Sequence, residues 1–262
     1  MQKINVRMKK QIKDFVIIQN QRVSPDSFML RLRCFDPLEE IKPGQFVEIL
    51  VNNSQSTFLR RPFSIHDVDY KENIISVYIK IVGDGTRQLA YSEEGDYLNL
   101  VYPLGNGFEI LENKKVLLVG GGCGIAPLLY LSKKLNEANN EVDFAFGGKS
   151  HDDIFSIEEF EQEGCVSIST EDGSFGEKGY VTQSQLMYQL EEYDAVYTCG
   201  PEPMMKALAK LAAEAKVECY VSLENTMACG IGACLCCVTE TTKGNKCVCT
   251  EGPVFNTKDL KW

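Results

Sequence analysis

The strongest constraint on this chain lies near its C-terminus, in the stretch Met227-Ala228-Cys229-Gly230-Ile231-Gly232-Ala233-Cys234-Leu235-Cys236-Cys237, with Cys249 further on. Written as spacing it is C-x4-C-x2-C-x11-C. Three thiols on one short loop and a fourth downstream match the ligand spacing of a [2Fe–2S] cluster. Two irons need four thiolates, and a loop this short can wrap one side of them only if its backbone turns tightly. Gly230 and Gly232 provide that freedom, because glycine tolerates positive φ. A zinc site would more often show paired C-x2-C knuckles, and only one clean pair is present. Disulfides do not suit a chain that shows no export signal. For the fourth ligand both Cys247 and Cys249 come into question. Cys249 is taken, because the turn Cys249-Thr250-Glu251-Gly252-Pro253 follows it directly. Cys236 also sits inside the loop, beside Cys237.

With 262 residues, 44% of them hydrophobic, the chain can build two packed domains and a small appendage. The expected division is 1–110, 111–220 and 221–262. A net charge of −10 disfavours a nucleic-acid partner. No apolar run reaches the length needed to cross a bilayer, so no membrane association is expected. The basic N-terminal stretch Met1 to Lys13 lacks the apolar core of a secretory signal. A cytoplasmic location follows, and it suits cysteines kept reduced for metal. Cys34, Cys165 and Cys219 read as buried fillers.

From Asp14 to Leu100 the pattern is short and β-like. Phe15 to Ile18, Ser27 to Arg33, Phe46 to Val51 and Asn73 to Val82 read as strands separated by turns, which predicts an antiparallel barrel. Within it lies Leu59-Arg60-Arg61-Pro62-Phe63-Ser64-Ile65. A guanidinium grips a pyrophosphate with paired hydrogen bonds. A serine hydroxyl close by can meet the edge of a flavin ring. Downstream, Gly83-Asp84-Gly85-Thr86 at a helix start offers backbone N–H groups to a phosphate. Arg61-Pro62-Phe63-Ser64 resembles the Arg-x-Tyr-Ser motif of the ferredoxin–NADP reductase superfamily, with Phe63 in the tyrosine place. That resemblance implies a six-stranded barrel holding FAD through Arg61, Pro62, Phe63, Ser64, Gly85 and Thr86. Tyr78, Ile79 and Lys80 would lie along the flavin. His66, just after the motif, reads as a surface or loop residue and not as a proton donor. His151 starts a polar loop and shows no role.

Lys115 to Val119 is a buried-type strand running into Gly120-Gly121-Gly122-Cys123-Gly124-Ile125-Ala126-Pro127, and Leu128-Leu129-Tyr130-Leu131 then carries helical spacing. Strand, glycine turn and helix place N–H groups and a helix dipole at a pyrophosphate. Pro127 suits the first helical turn. Strand and helix signals go on alternating through Val142 to Phe146, Cys165 to Ser169 and Ala195 to Cys199, as a parallel-sheet nucleotide-binding domain requires. After the second strand come Gly147-Gly148 and no ribose-binding carboxylate, a departure from the usual fingerprint that the reductase superfamily shares. By the same resemblance, Gly122, Gly124, Cys199 and Gly200 border the nicotinamide nucleotide; otherwise Cys199 is a packed strand end. Glu171 and Asp172 fall where relatives using NADP carry groups for its 2′-phosphate. Two carboxylates would repel that phosphate, so NAD is expected.

The run Ser222 to Cys234 narrows the resemblance. It looks like the electron-transfer subunits of the NAD-linked, type B dihydroorotate dehydrogenases, and the likeness extends from about Asp14 to Phe255. In that family the cluster ligands fall on Cys229, Cys234, Cys237 and Cys249. Cys236 is a departure, since small residues are usual there. The resemblance implies an oxidoreductase subunit of pyrimidine biosynthesis. Electrons from the FMN of a separate dihydroorotate-oxidising subunit would pass singly through the cluster to FAD and leave as a hydride on NAD+. It also implies a heterotetramer with two catalytic subunits and a cluster loop at the subunit interface. The same cofactors would serve a reductase subunit of a hydrogenase, sulfite reductase or transhydrogenase. A non-catalytic iron–sulfur sensor is the reading from another class.

Overall fold

The computed structural model describes residues 10–52, 54 and 56–262. Residues 1–9, most of the basic N-terminal stretch, therefore lie outside it. Six strands, β1 (Gln11–Ser24), β2 (Ser27–Arg33), β3 (Phe46–Ile49), β4 (Arg61–Asp69), β5 (Ile74–Lys80) and β6 (Tyr97–Leu104), close a barrel in the order β1-β2-β5-β4-β3-β6. Every pairing in it is antiparallel. Alternation drives the closure: Phe28, Leu30 and Leu32 of β2 all face the interior, as do Phe15 and Ile17 of β1. The ring of Phe15 meets that of Tyr102 edge-on at 5.1 Å between centroids. Helix α1 (Asp84–Ala90) leads from β5 towards β6.

The second layer is a seven-stranded sheet in the order β10-β9-β8-β7-β11-β12-β15. Its strands are β7 (Lys115–Gly121), β8 (Glu141–Gly148), β9 (Cys165–Thr170), β10 (Glu177–Lys178), β11 (Ala195–Cys199), β12 (Glu218–Ser222) and β15 (Val254–Asn256). Helices α2 (Leu128–Glu137), α3 (Ile157–Glu161) and α4 (Glu202–Ala215) pack against it. All pairings are parallel except that of β12 with β15. The chain runs outward from β7 to β10, then returns to place β11 on the other side of β7. In open α/β sheets a ligand crevice forms beyond the strand ends at such a reversal. The C-terminal segment adds a hairpin of β13 (Val238–Thr241) and β14 (Gly244–Cys247), then the short helix α5 (Val248–Glu251). Through β15 it also completes the edge of the nucleotide-binding sheet.

Several contacts join the barrel to this sheet. Lys80 at the end of β5 bonds Asp153 at 2.5 Å and Asp26 at 3.3 Å. The rings of Tyr78 and Phe155 stack at 3.7 Å, within 2° of parallel. His66 corrects the expectation of a surface residue: it is buried on β4. Its Nδ1–H donates to the carbonyl of Ala126 at 2.8 Å, and its Nε2 lies 3.6 Å from Glu159. The histidine therefore serves domain packing. Cys34 and Cys219 are buried as expected, whereas Cys165 is exposed at the start of β9.

Burial works against the charge of Asp153, but Lys80 and the N–H of Lys149 outweigh it and hold the carboxyl below its usual range. A depressed carboxyl contributes stability that is complete above the unfolded pKa, near 4, and is lost as pH falls through the folded value. Asp153→Asn is therefore expected to cost about 1–3 kcal/mol at pH 7, because Lys80 keeps Asp26 as a partner. The gap between variant and wild-type thermal midpoints should close as the pH is lowered below 4. Equal midpoints at pH 7 would show that this ion pair does not secure the domain junction.

Candidate functional site

Between β4, β5 and the start of α1 lies a cavity of about 320 Å3. Arg61, Pro62, Phe63 and Ser64 line it from β4, Tyr78 and Lys80 from β5, and Thr86 from α1. Arg61 donates from Nη1 to the carbonyls of Leu59 and Arg60 at 2.9 and 3.2 Å, and makes no ion pair with a carboxylate among the described residues. Its cationic head is thus braced by neutral groups and left for an anion. A Cβ on Gly85 would lie 3.2 Å from the Arg61 Nε, so Gly85 leaves room for that side chain without lining the cavity itself. Thr86 Oγ1 accepts from the N–H groups of Val82 and Gly83 and fixes the turn. A free arginine beside a tight turn and an aromatic-lined slot fits the pyrophosphate and ring system of FAD.

Of the three flavin contacts expected on β5, Tyr78 and Lys80 line the cavity and Ile79 does not. Ile79 points into the barrel core and is fully buried there. Lys80 reaches the cavity but is tied up by Asp153 and Asp26. Burial disfavours its charge, yet the two carboxylates push its pKa above the usual lysine value.

A second cavity, of about 510 Å3, opens at the reversal of the parallel sheet. Its walls include Gly121 at the end of β7 and Gly122 after it, Gly147 and Gly148 at the end of β8, Glu171 after β9, and Pro201 after β11. Of the four residues assigned to the nucleotide, Gly122 faces this space. Gly124 serves packing instead: a Cβ there would meet the Cys199 carbonyl oxygen at 2.2 Å. Cys199 is completely buried at the end of β11, and Gly200 lines a neighbouring groove with Glu202 and Trp262. The two acidic residues also part company. Glu171 borders the cavity. Asp172 accepts from the N–H and Oγ of Ser174 at 2.9 and 2.6 Å and so closes its own turn.

Sequence reasoning passed over Glu224. It borders both cavities together with Lys80 and Cys123, so the two spaces adjoin at these side chains. Cys199 Sγ donates to Glu224 Oε1 at 3.7 Å. The protein around Glu224 raises its pKa, and burial with Glu224 alongside raises that of Cys199 well above the usual thiol value. No spacing signal marks this glutamate; only the fold brings it between the cavities.

The cysteine loop follows directly. Gly230 and Gly232 have φ of +62° and +82°, and Leu235 also turns left-handed at +58°. Backbone N–H groups converge on sulfur: those of Ala233 and Cys234 reach Cys229 Sγ at 3.3 and 3.4 Å. The N–H of Cys249 reaches Cys237 Sγ at 3.4 Å. Burial opposes ionisation of Cys229, but the N–H groups of Ile231, Cys234 and Ala233 bring its pKa down to about 6. Burial and the neighbouring Cys237 push Cys249 up to about 12. Among the described residues no three His, Cys, Asp or Glu side chains are gathered as a single ion would need. Backbone N–H groups instead join the cysteines two by two, that of Cys234 meeting Cys229 Sγ and that of Cys249 meeting Cys237 Sγ. Two thiolate pairs, one for each of two irons, are the donor set of a [2Fe–2S] cluster. Cys236 is exposed, and its N–H faces Cys234 Sγ at 3.5 Å; Cys247 bonds through its N–H to Glu251.

A flavin barrel, a nicotinamide cavity adjoining it and a cysteine loop rooted in their shared wall define an oxidoreductase of ferredoxin–NADP reductase type with an iron–sulfur centre. Residues 224–261 match the family profile for the iron–sulfur cluster binding domain of dihydroorotate dehydrogenase B, and residues 118–210 that for an oxidoreductase NAD-binding domain. The electron transfer subunit of dihydroorotate dehydrogenase B (NAD+) from Caldanaerobacter subterraneus subsp. tengcongensis is 42% identical over 91% of this chain and 94% of its own. That from Fusobacterium nucleatum is 38% identical over 95% and 98%. Among solved structures, that of an NADH-dependent reduced ferredoxin–NADP oxidoreductase superposes with a TM-score of 0.84 at 32% identity, covering 95% of this chain and 90% of that one. The chain belongs to the family of electron transfer subunits of dihydroorotate dehydrogenase B (NAD+). Among the described residues no helix is long and apolar enough to cross a membrane.

Proposed function

We propose that this chain accepts electrons from the FMN of a dihydroorotate-oxidising partner and delivers them to NAD+ as one of the two electron-transfer chains of a two-plus-two heterotetramer in the cytoplasm. The observation that carries this reading is the shared wall: Lys80, Cys123 and Glu224 border both cavities, and Ser222 to Asn225 with Met227, the stem of the cysteine loop, line the flavin side. When bound, the cluster supplies single-electron transfer and FAD converts between single electrons and hydride. The chain's own residues do the holding. Cys229, Cys234, Cys237 and Cys249 ligate the irons, and Arg61 and Thr86 hold the FAD phosphates. Pro62, Phe63, Ser64 and Tyr78 frame the flavin. Gly122 and the strand ends around it would receive the NAD phosphates, while Glu224 borders both cavities. Residues 1–110, 111–220 and 221–262 then divide the work into flavin, nucleotide and cluster units.

Affinity capture from the native cell, with flavin and iron analysis, tests the assignment. The expected companion contains FMN and gives dihydroorotate-dependent reduction of NAD+. Capture with a hydrogenase, sulfite reductase or transhydrogenase partner would replace the dihydroorotate reading. Failure to oxidise NADH with an artificial acceptor would leave the sensor. The likeness to a ferredoxin–NADP oxidoreductase makes the transhydrogenase type the second reading.

Nucleotide choice gives a further expectation. Glu171 borders the cavity, where its charge opposes a 2′-phosphate. Glu171→Ala should lower the preference for NADH over NADPH roughly tenfold in kcat/KM, equivalent to about 1.4 kcal/mol. Asp172→Ala should leave it unchanged, because that carboxylate closes its own turn. The reverse pattern would move the discriminating charge to Asp172.

A further inference from the structure

Glu48 is the only charged residue of β3, and it is 1% exposed. Alternation along a strand puts residues 46 and 48 on one face and 47 and 49 on the other, so an ordinary barrel strand would turn Glu48 to water. All four residues are buried instead. The cover over Glu48 is the cysteine loop. A Cβ on Gly230 would lie 2.7 Å from the Glu48 carboxyl carbon and Oε1, and 3.0 Å from Oε2. Gly230 is the neighbour of Cys229 in sequence, so this contact stands at the foot of the loop.

One oxygen of the carboxyl is left over. Oε1 is buried and has no hydrogen-bond partner among the described residues. The adjacent Arg60 spends its guanidinium on the carbonyl and side-chain oxygens of Asn99, at 2.7 and 2.5 Å, and on the backbone oxygen of Glu48 at 3.4 Å. Burial raises the Glu48 pKa, and Arg60 offsets this only in part. A buried carboxyl with an oxygen left unpaired is costly to stability, so an apolar residue at this place would have been the cheaper choice.

We propose that Glu48 is a positioning residue for the iron–sulfur site: it props the loop at Gly230 and holds a negative charge against it, which sets how readily the cluster accepts an electron. The inference rests on the reading of this loop as a [2Fe–2S] site. The sign follows from electrostatics. Adding an electron beside a fixed, buried negative charge is disfavoured, so the carboxylate keeps the cluster harder to reduce.

The test is a potentiometric titration of the purified, cofactor-loaded subunit at pH 8, with the reduced cluster followed by electron paramagnetic resonance and FAD by absorbance. Glu48→Gln keeps the shape and removes the charge. It should leave iron, sulfide and FAD contents unchanged and raise the reduced-to-oxidised cluster ratio at a fixed poise about tenfold, or 59 mV for one electron. The FAD titration should not move. Glu48→Asp restores the charge and should return the ratio toward wild type. Full iron with an unmoved ratio in Glu48→Gln overturns the role of Glu48, and so does loss of iron from that isosteric variant, which would make the carboxylate a requirement for assembling the cluster and not a control on its reduction. Wild-type subunit free of iron overturns the cluster reading as well, so the two failures are distinct.

Discussion

Cys234→Ser is expected to strip the subunit of its iron–sulfur absorbance while FAD stays bound. The change leaves three thiolates for two irons, and the lost one belongs to the pair formed with Cys229. Serine is close in size but binds iron poorly at neutral pH, since its hydroxyl does not ionise there. The loop itself should hold its shape, because the N–H groups of Ala233 and Cys234 that meet Cys229 Sγ are backbone groups. The flavin cavity should also persist. The residues lining it from the loop stem, Ser222 at the end of β12 and Leu223 to Asn225 just after it, are held by the pairing of β12 with β11 and β15. Transfer from the dihydroorotate-oxidising partner to NAD+ should fall on the order of 100-fold or more, since even outer-shell changes at metal sites cost 10–100-fold. Oxidation of NADH by an artificial acceptor, which needs only the two cavities, should remain near wild type. Loss of FAD together with iron would mean that the loop and the flavin wall form one unit.

The parts of this molecule legible in its sequence are those with a local signal. The cysteine spacing and the strand–glycine–helix turn each reside in a dozen consecutive residues, and the period-two run from Ser27 to Arg33 coincides with β2. Less visible was β4. It starts at Arg61-Pro62, and proline argues against a strand until the register shows Pro62 opposite Glu48 at the end of the β3 pairing. The strand β1 runs on to Ser24, beyond the apolar run ending at Ile18, because Gln19 to Arg22 pair with β2 through backbone alone. Phe46 to Val51 gave a strand that stops at Ile49. His66 and Glu48 share one reason for having been missed or misplaced. A titratable residue on a strand or loop is written the same way whether water or another domain covers it, and in each case the cover comes from far along the chain. For His66 it is Ala126 and Glu159; for Glu48 it is Gly230.

Arg61→Ala should release FAD while sparing the cluster. The guanidinium makes no ion pair among the described residues, and only Nη1 is engaged, by two backbone carbonyls. Its remaining donors are what a pyrophosphate needs, and hydrogen bonds to a charged group contribute about 1.5–3 kcal/mol each. Losing two of them amounts to about 3–6 kcal/mol, or roughly 100- to 10,000-fold in FAD affinity. Arg61→Lys should fall between, because an ammonium keeps the charge but not the fork. Equilibrium titration of the deflavinated variants with FAD measures both effects. Iron content should stay level, since the cysteine loop leans on β3 at Glu48. Arg60 offers no equivalent test despite standing next in sequence. Its guanidinium bonds Asn99 on β6 and the backbone of Glu48 on β3, so it fastens the wall on which the loop rests. If Arg61→Ala bound FAD as tightly as wild type, the anion contact would have to lie with the backbone N–H groups near Thr86, and the free arginine would lose its explanation.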